Sequence, residues 1–533
     1  MVADHKISRQ KGGPYRPPKD GRCIINTLPT ELLAHIFALG PDWNEYDEES
    51  EEDWEEDEPD FVILVSHVCR HWREVAINTP ALWTSIDFSE GHPYARSAVY
   101  LERSENAPLD LCIDFTEDGL DEEGEQAIKN MCDMQRILQL ILPHVHHWRS
   151  LDVSVSDYHL MHDALLGMSR CPVAPSLEIL QLYHYEDDDN PEAFSPAHLK
   201  EQPFVLFNGN VPRLTKVALW GVHLNWSRSL FLCGLVDLEL AYHAKDVRPS
   251  FKDFARILRD SPELSKLSLC QSGPAGGPVD WLASILDQPP DVLAYDEMRT
   301  SPEPSATTTI MLSSLKELVL AFLETDYSIE LLKRLAMPNL SSLALEFDEI
   351  DSSEFLRAIT RPSSLTGKSI LSGLQALKLS GMECEDSQVI RDVYAAMPNL
   401  NLLNLNFDFI SMRWYHELAD QWDAAADSNQ TPFLPRLQAF SATGLAGPDL
   451  RALVEFRKAL GLPIKQLYVN EEDQLDEEDE HWFIQNVQEF EYFEGSDEEE
   501  MEEEEIIDVG IEGEDFEDEF GHEDAEDLWN DVD

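Results

Sequence analysis

Apolar positions along this chain follow two different periods. Leu32, Leu33, Ile36, Phe37 and Leu39 recur at intervals of three and four, which predicts a helix. Pro29 suits its first turn, since its φ is helix-ready and its missing N–H would be unpaired there anyway. Gly40-Pro41 stops the run. Val65, Val68, Cys69, Trp72, Val75 and Ala76 predict one face of a second helix. Thr79 then offers an N-cap and Pro80 a first helical position, opening a short third helix with Leu82 and Trp83. Three short helices this rich in Leu, Val and Trp cannot bury their apolar surface among themselves. Such a unit needs a partner.

Beyond it the pattern predicts a helix over Tyr94–Glu102, a strand over Leu109–Phe115 and a helix whose apolar side holds Ile128, Met131, Ile137, Leu138 and Ile141. From Trp148 onward one phrase keeps returning. It reads W-R-S-L-D-V at Trp148, S-L-E-I-L-Q-L at Ser176, R-L-T-K-V-A-L at Arg213, G-L-V-D-L-E-L at Gly234 and E-L-S-K-L-S-L at Glu263. It continues at Ser314, Asn339, Gly373, Asn399, Arg436 and Pro463. The frame L-x-x-L-x-L resembles the strand phrase of a leucine-rich repeat. Its last two leucines, two apart, point to one side of a strand and into a core, with the residue between them pointing out. Helices are predicted between phrases, at Phe251–Ser261, Ile329–Ala336, Glu354–Thr360, Asp386–Met397 and Leu450–Gly461. Units of this kind stack into a solenoid. The phrases lie 21 to 51 residues apart, so the array is uneven, and Pro289–Thr309 in the longest gap reads as a mobile loop.

The first helical unit resembles an F-box of the type common in fungi. The resemblance is carried by L-P-x-E-L-L-x-x-I-F from Leu28, V-S-x-V-C-R-x-W-R-x-V-A from Val65 and P-x-L-W-x-x-I-D from Pro80. It implies docking onto the Skp-type adaptor of an SCF ubiquitin ligase and, through it, onto a cullin scaffold. By motif match the contacts come from Leu28, Pro29, Leu32, Ile36 and Phe37 of the first helix, with Val68, Cys69, Trp72 and Trp83 from the second and third. The same residues, Trp72 above all, are equally able to hold the three helices together. One departure is an acidic insert between the first two helices. A flexible loop costs only about 0.6 kcal/mol more per doubling of its length, so the unit survives it.

Charge sharpens the division of the chain. The net charge of −65 is concentrated in two blocks. Asp42–Asp60 holds thirteen acids and no base, and Glu471–Asp533 holds thirty-two acids and no base. The rest carries 59 acids against 39 bases. Blocks of this kind repel themselves and are expected to be disordered. The α/β chain therefore divides into a basic leader at 1–22, an F-box at 23–90 with its insert at 42–60, and an irregular solenoid at 91–470. An acidic tail at 471–533 follows, with an aromatic cluster at 481–493 that suits a terminal cap. This balance disfavours nucleic acid, which is not expected as a partner, and favours basic proteins. The N-terminal segment lacks the apolar centre of a signal peptide, and no run reaches membrane-helix length. Eight cysteines without a Cys-x-x-Cys pair fit buried thiols in a reducing cytoplasm or nucleus.

Catalytic motifs are missing. His144, His146 and His147 form a dense group, but no Cys or carboxylate motif accompanies them as a metal site needs. Thr366-Gly-Lys-Ser ends like a phosphate loop, yet position 362, where the loop requires Gly, is Pro. No enzyme activity and no cofactor are expected. Just past the strand phrases, Tyr183, Trp220, Tyr242, Phe322, Phe347 and Phe407 stand at nearly one register. They either pack strand ends against the following loops or form a stripe that grips a target protein, with Arg213, Lys216, Lys266 and Lys378 nearby. The expected function is a non-catalytic substrate receptor of a ubiquitin ligase. An acidic scaffold or chaperone-like protein for basic clients is the alternative.

Overall fold

Two leucines per phrase, two residues apart, build one continuous sheet. The computed structural model describes residues 25, 28–40, 61–116, 125–185, 192–286, 309–419, 432–473 and 475–493. The basic leader, the acidic insert, nearly all of the Pro289–Thr309 loop and the tail beyond 493 lie outside them.

The strands are β1 (Ser85–Asp87), β2 (Leu109–Phe115), β3 (Trp148–Val155), β4 (Ile179–His184), β5 (Lys216–Trp220), β6 (Asp237–Ala241), β7 (Lys266–Cys270) and β8 (Ile310–Met311). They continue with β9 (Glu317–Ala321), β10 (Leu335–Ala336), β11 (Ser342–Asp351), β12 (Ala376–Glu383), β13 (Leu402–Asn406), β14 (Ala439–Thr443), β15 (Gln466–Asn470) and β16 (Glu489–Phe493). Fourteen of them pair in chain order into one sheet, while β8 and β10 pair apart from it. Every pairing is parallel. The sheet starts at Ser85 and ends at Phe493, so it overruns both solenoid boundaries expected at 91 and 470.

Uneven repeats share one register because the backbone fixes it at each strand entry. Glu178 O accepts from the N–H groups of both Thr215 and Lys216 (2.9 and 3.1 Å), and Thr215 O from Val236 and Asp237 (2.7 and 3.1 Å). The same double acceptance recurs through ten successive carbonyls to Lys465 O. Insertions between these points leave the ladder untouched. Inward leucines then stack from strand to strand: Leu180, Leu182, Leu238, Leu240, Leu377, Leu379, Leu403 and Leu405 are each at most 1% exposed. Helices cover this side, at Phe251–Arg259, Ser353–Thr360, Ser387–Ala395 and Gly447–Ala459 among others. The helix expected over Ile329–Ala336 instead spans Thr325–Leu332. Its expected last residues, Leu335 and Ala336, pair with Ile310 and Met311.

Polar groups inside the array are held by backbone. Arg457, 1% exposed, donates to the carbonyls of Phe433 and Leu434 at 2.9 and 2.8 Å. Past the strand ends, His243 bonds the Val222 carbonyl (3.0 Å) and the Ser272 hydroxyl (2.9 Å). Burial pulls the His243 imidazole down to about 3 and that of His184 down to about 4.

At the N-terminus stand α1 (Thr30–Ala38), α2 (Phe61–Val68) and α3 (Arg70–Ile77), then a 3-10 turn over Pro80–Trp83. The single second helix expected from Val65 to Ala76 is broken. Cys69 is extended (φ −161°, ψ 169°), and its sulfur caps α3 by accepting from Trp72 N–H at 3.5 Å. Arg73 Nε takes up the Ser66 carbonyl that the break leaves open (3.0 Å). Pro29 precedes α1 as its N-cap rather than lying inside it. Thr79 caps nothing forward, because its hydroxyl donates back to Val75 O (2.7 Å). A Cβ on Gly40 would meet the Phe61 ring at 2.0 Å. The two residues that flank the insert are thus in contact.

Candidate functional site

The first candidate is the outward surface of α1 and α2. The five apolar positions of α1 and its C-cap divide into two stripes. Leu33 and Phe37 point inward at 0% and 1% exposure, whereas Leu32, Ile36 and Leu39 remain 52%, 44% and 47% exposed. On α2, Leu64 and Val68, one turn apart, are 46% and 59% exposed. Side chains of this size recover about 1.5–3 kcal/mol each on passing from full exposure to full burial, of which roughly half is still to be gained here. Six of the fourteen large apolar side chains exposed among the described residues lie between Leu32 and Ile77. That density exceeds ordinary scatter and makes this surface the first candidate for a partner.

The residues expected to touch an adaptor fall into two groups. Leu32, Ile36, Val68 and Pro29 are exposed, and Leu28, Cys69 and Trp72 are half-buried. Phe37 and Trp83, each 1% exposed, are excluded from direct contact. Phe37 packs on Trp72 with ring centroids 4.9 Å apart. Trp83 donates to Ala76 O (2.9 Å), lies edge-on to Tyr100 and carries the Arg103 guanidinium 4.3 Å above its ring. It fastens the helical unit to the first solenoid helix, Ala95–Arg103. Leu39 and Leu64 were not expected at the surface. The signal for them was available, since Leu32, Ile36 and Leu39 fall four and three apart, as one stripe must.

The second candidate is the sheet face turned away from the helices. Three outward residues per strand form rows across it. One row runs Lys216, Asp237, Lys266, Glu317 from β5 to β9. Its charges alternate and pair, Lys216 with Asp237 at 3.8 Å and Lys266 with Glu317 at 3.0 Å. Arg213 pairs with Glu178 at 3.6 Å. These cations are already answered, which leaves Lys378 on β12 as the expected basic residue for which no ion pair is seen among the described residues. The next row holds Asp87, Cys112, Asp152, Gln181, Ala218 and Glu239. Burial, with Asp114 adding to it, pushes the Asp152 carboxyl up to about 6. Burial and then Asp152, Asp87 and Asp114 push the Cys112 thiol up to about 12, so it is a poor nucleophile.

The third row carries the aromatics. Tyr183 and Trp220 are paired across β4 and β5, with ring centroids 5.1 Å apart, and exposed Tyr185 lies 5.8 Å from Trp220. Trp220 Nε1 donates to Glu239 (2.9 Å), and its ring lies 5.4 Å from Tyr242. Trp220, Tyr242 and Phe322 pack on Ala241, Cys270 and Ala321, a small cluster separate from the main core. The six aromatics expected to share a face do not. Tyr242, Phe322, Phe347 and Phe407 stand one residue later than Trp220, which in a strand means the opposite side. Phe347 and Phe407 keep negative φ and turn into the core at 3% and 8% exposure. Tyr242 and Phe322 take left-handed backbone, φ 51° and 49°, and return to the open face. Gly221, Gly381 and Gly444 adopt the same conformation one residue past Trp220, Ser380 and Thr443. That recurring glycine was the sequence signal for a backbone reversal.

Residues 25–89 match the family model described as F-box-like. Among solved structures, the leucine-rich repeat-containing protein LegL7 from Legionella pneumophila is 14% identical, with a TM-score of 0.31, over 67% of this chain and 87% of that one. A chain from the crystal structure of the Rad7 and Elc1 complex in yeast is also 14% identical, with a TM-score of 0.31, over 72% of this chain and 89% of its own. No curated protein matches the chain. The molecule thus joins an F-box-like unit to a parallel-strand solenoid of the leucine-rich-repeat kind.

Proposed function

We propose, on the premise of an F-box-like unit at residues 25–89, that this chain is a substrate receptor of an SCF-type ubiquitin ligase. The outward stripes of α1 and α2 dock on a Skp-type adaptor, which joins a cullin scaffold, and the open face of the sheet holds the target. The observation that carries this reading is the exposure of Leu32, Ile36 and Val68 on helices whose opposite sides are already packed. The chain performs no bond chemistry. It raises the effective concentration of the target near the transferring enzyme, which turns a bimolecular step into a nearly intramolecular one.

Replacing Leu32 and Ile36 together by Glu tests the docking. About half of each side chain is still to be buried, worth roughly 0.7–1.5 kcal/mol apiece, and a Glu carboxylate in its place adds a desolvation cost, so capture of a Skp-type adaptor should fall by at least about tenfold. The melting temperature should stay unchanged, because both residues already face solvent. Undiminished capture would refute the receptor reading.

A further inference from the structure

The open face between β3 and β9 has a chemistry of its own. From β1 to β9 its second and third rows hold Asp87, Asp114, Asp152 and Glu239 and no Lys or Arg. Among the described residues, none of these four carboxylates has a cation within ion-pair distance; Glu239 accepts from Trp220 and Asp114 from Thr116. Beside them stand Tyr183, Tyr185, Trp220 and Tyr242, ring to ring. No described helix covers them.

Tyr242, and Phe322 farther along the same face, occupy a slot that does not favour a side chain. Tyr242 and Phe322, with Gln271 between them in the array, hold the left-handed backbone that Gly221, Gly381 and Gly444 supply elsewhere. A Cβ there crowds the following carbonyl, and residues kept in such a conformation cluster at binding sites. The rings add nothing to the leucine core, from which their small cluster is separate.

Aromatic faces beside carboxylates that hold no ion pair attract one kind of group. Guanidinium and ammonium ions stack on Trp and Tyr and are stabilised further by a nearby carboxylate. Phosphate-rich nucleic acid and anionic lipid are repelled by the same charges. We infer that this face seats a basic segment of the target, one Arg or Lys lying on Trp220 and Tyr242 beside Glu239 and another beside Asp152. This deepens the receptor reading and rests on it. Three strand spacings separate β3 from β6, about 14 Å, so an extended segment would place cations roughly four residues apart.

The probe is a fluorescein-labelled Gly/Ser peptide with Arg at every fourth position, set against its Gln counterpart, with anisotropy read on the full chain. The pair Tyr242→Gly and Phe322→Gly installs the residue found at 221, 381 and 444 in other repeats, so folding should be retained while affinity for the Arg peptide falls by about tenfold. The isosteric pair Asp152→Asn and Glu239→Gln should weaken it comparably, and carries the test should the glycine pair fail to fold. The Gln peptide should not bind. Equal binding by the variants and the parent would place the contact elsewhere, in the acidic blocks, and overturn the inference. Equal binding of the two peptides, or none of either, would overturn it too. Capture of a Skp-type adaptor by the same samples reports on the receptor reading separately.

Discussion

Leucine does opposite work at the two ends of this molecule. In the solenoid, Leu320 and Leu405 are 0% exposed, each enclosed by neighbours above, below and behind. In the helical unit Leu32, Leu39 and Leu64 are about half exposed, on helices whose inner faces are complete. One region finishes its own core and displays polar and aromatic groups. The other displays core-type residues and leaves their burial to something else. Composition cannot separate the two, and topology does. A stacked strand has a neighbour on each side by construction, whereas three short helices have too little surface to enclose themselves.

The contrast can be broken most sharply by one substitution made in both places. Leu405→Ala should destabilise the chain by about 2–5 kcal/mol, the range for emptying a buried leucine site. Leu32→Ala should change it by less than about 0.5 kcal/mol, as exposed sites do. Urea midpoints compare the two directly, and equal losses would mean that Leu32 is already enclosed. Next in size is Arg457→Leu, which strips two buried carbonyls of charged donors and should cost about 3 kcal/mol. It should leave adaptor capture intact, which would confirm that the far end of the solenoid is independent of the docking unit.

Acid provides a third and smaller test. His184 and His243 have folded pKa values depressed below the ordinary 6.5. The unfolded chain therefore binds more protons as pH falls through 6.5. Their contribution is complete above that value and is lost on the way down towards pH 4. For His184 this amounts to roughly 3 kcal/mol in all, of which only part is gone by pH 5. The urea midpoint of the solenoid should fall between pH 7 and 5, and His184→Asn should flatten that slope. A midpoint indifferent to pH over this range would show that these imidazoles reach water.

Much of the solenoid was legible in the residues. All eleven leucine phrases end in strands of the main sheet, because alternation in a buried strand is dictated by geometry. The break at Cys69 was not legible, since the apolar spacing from Val65 to Ala76 runs through it without a fault. Periodicity records which face is buried, and it does not record where the axis turns. The aromatics failed for a related reason. A single change in the sign of φ sends Tyr242 one way and Phe347 the other, and hydrophobic pattern is blind to that sign. Glycine at the equivalent place in other repeats would have revealed it. For the helical unit, the motif resemblance picked out helices that carry exposed apolar stripes but could not tell Ile36 from Phe37, adjacent letters on opposite faces.

The contact between Gly40 and Phe61 has a practical meaning. Because Gly40 and Phe61 touch, a flexible connection between them closes at a cost that changes by only about 0.6 kcal/mol when its length is halved or doubled. A fluorescent reporter, an affinity handle or a plain two-glycine bridge could be spliced at that joint without moving either helix. The position is a built-in port, open to engineering and to evolutionary drift alike.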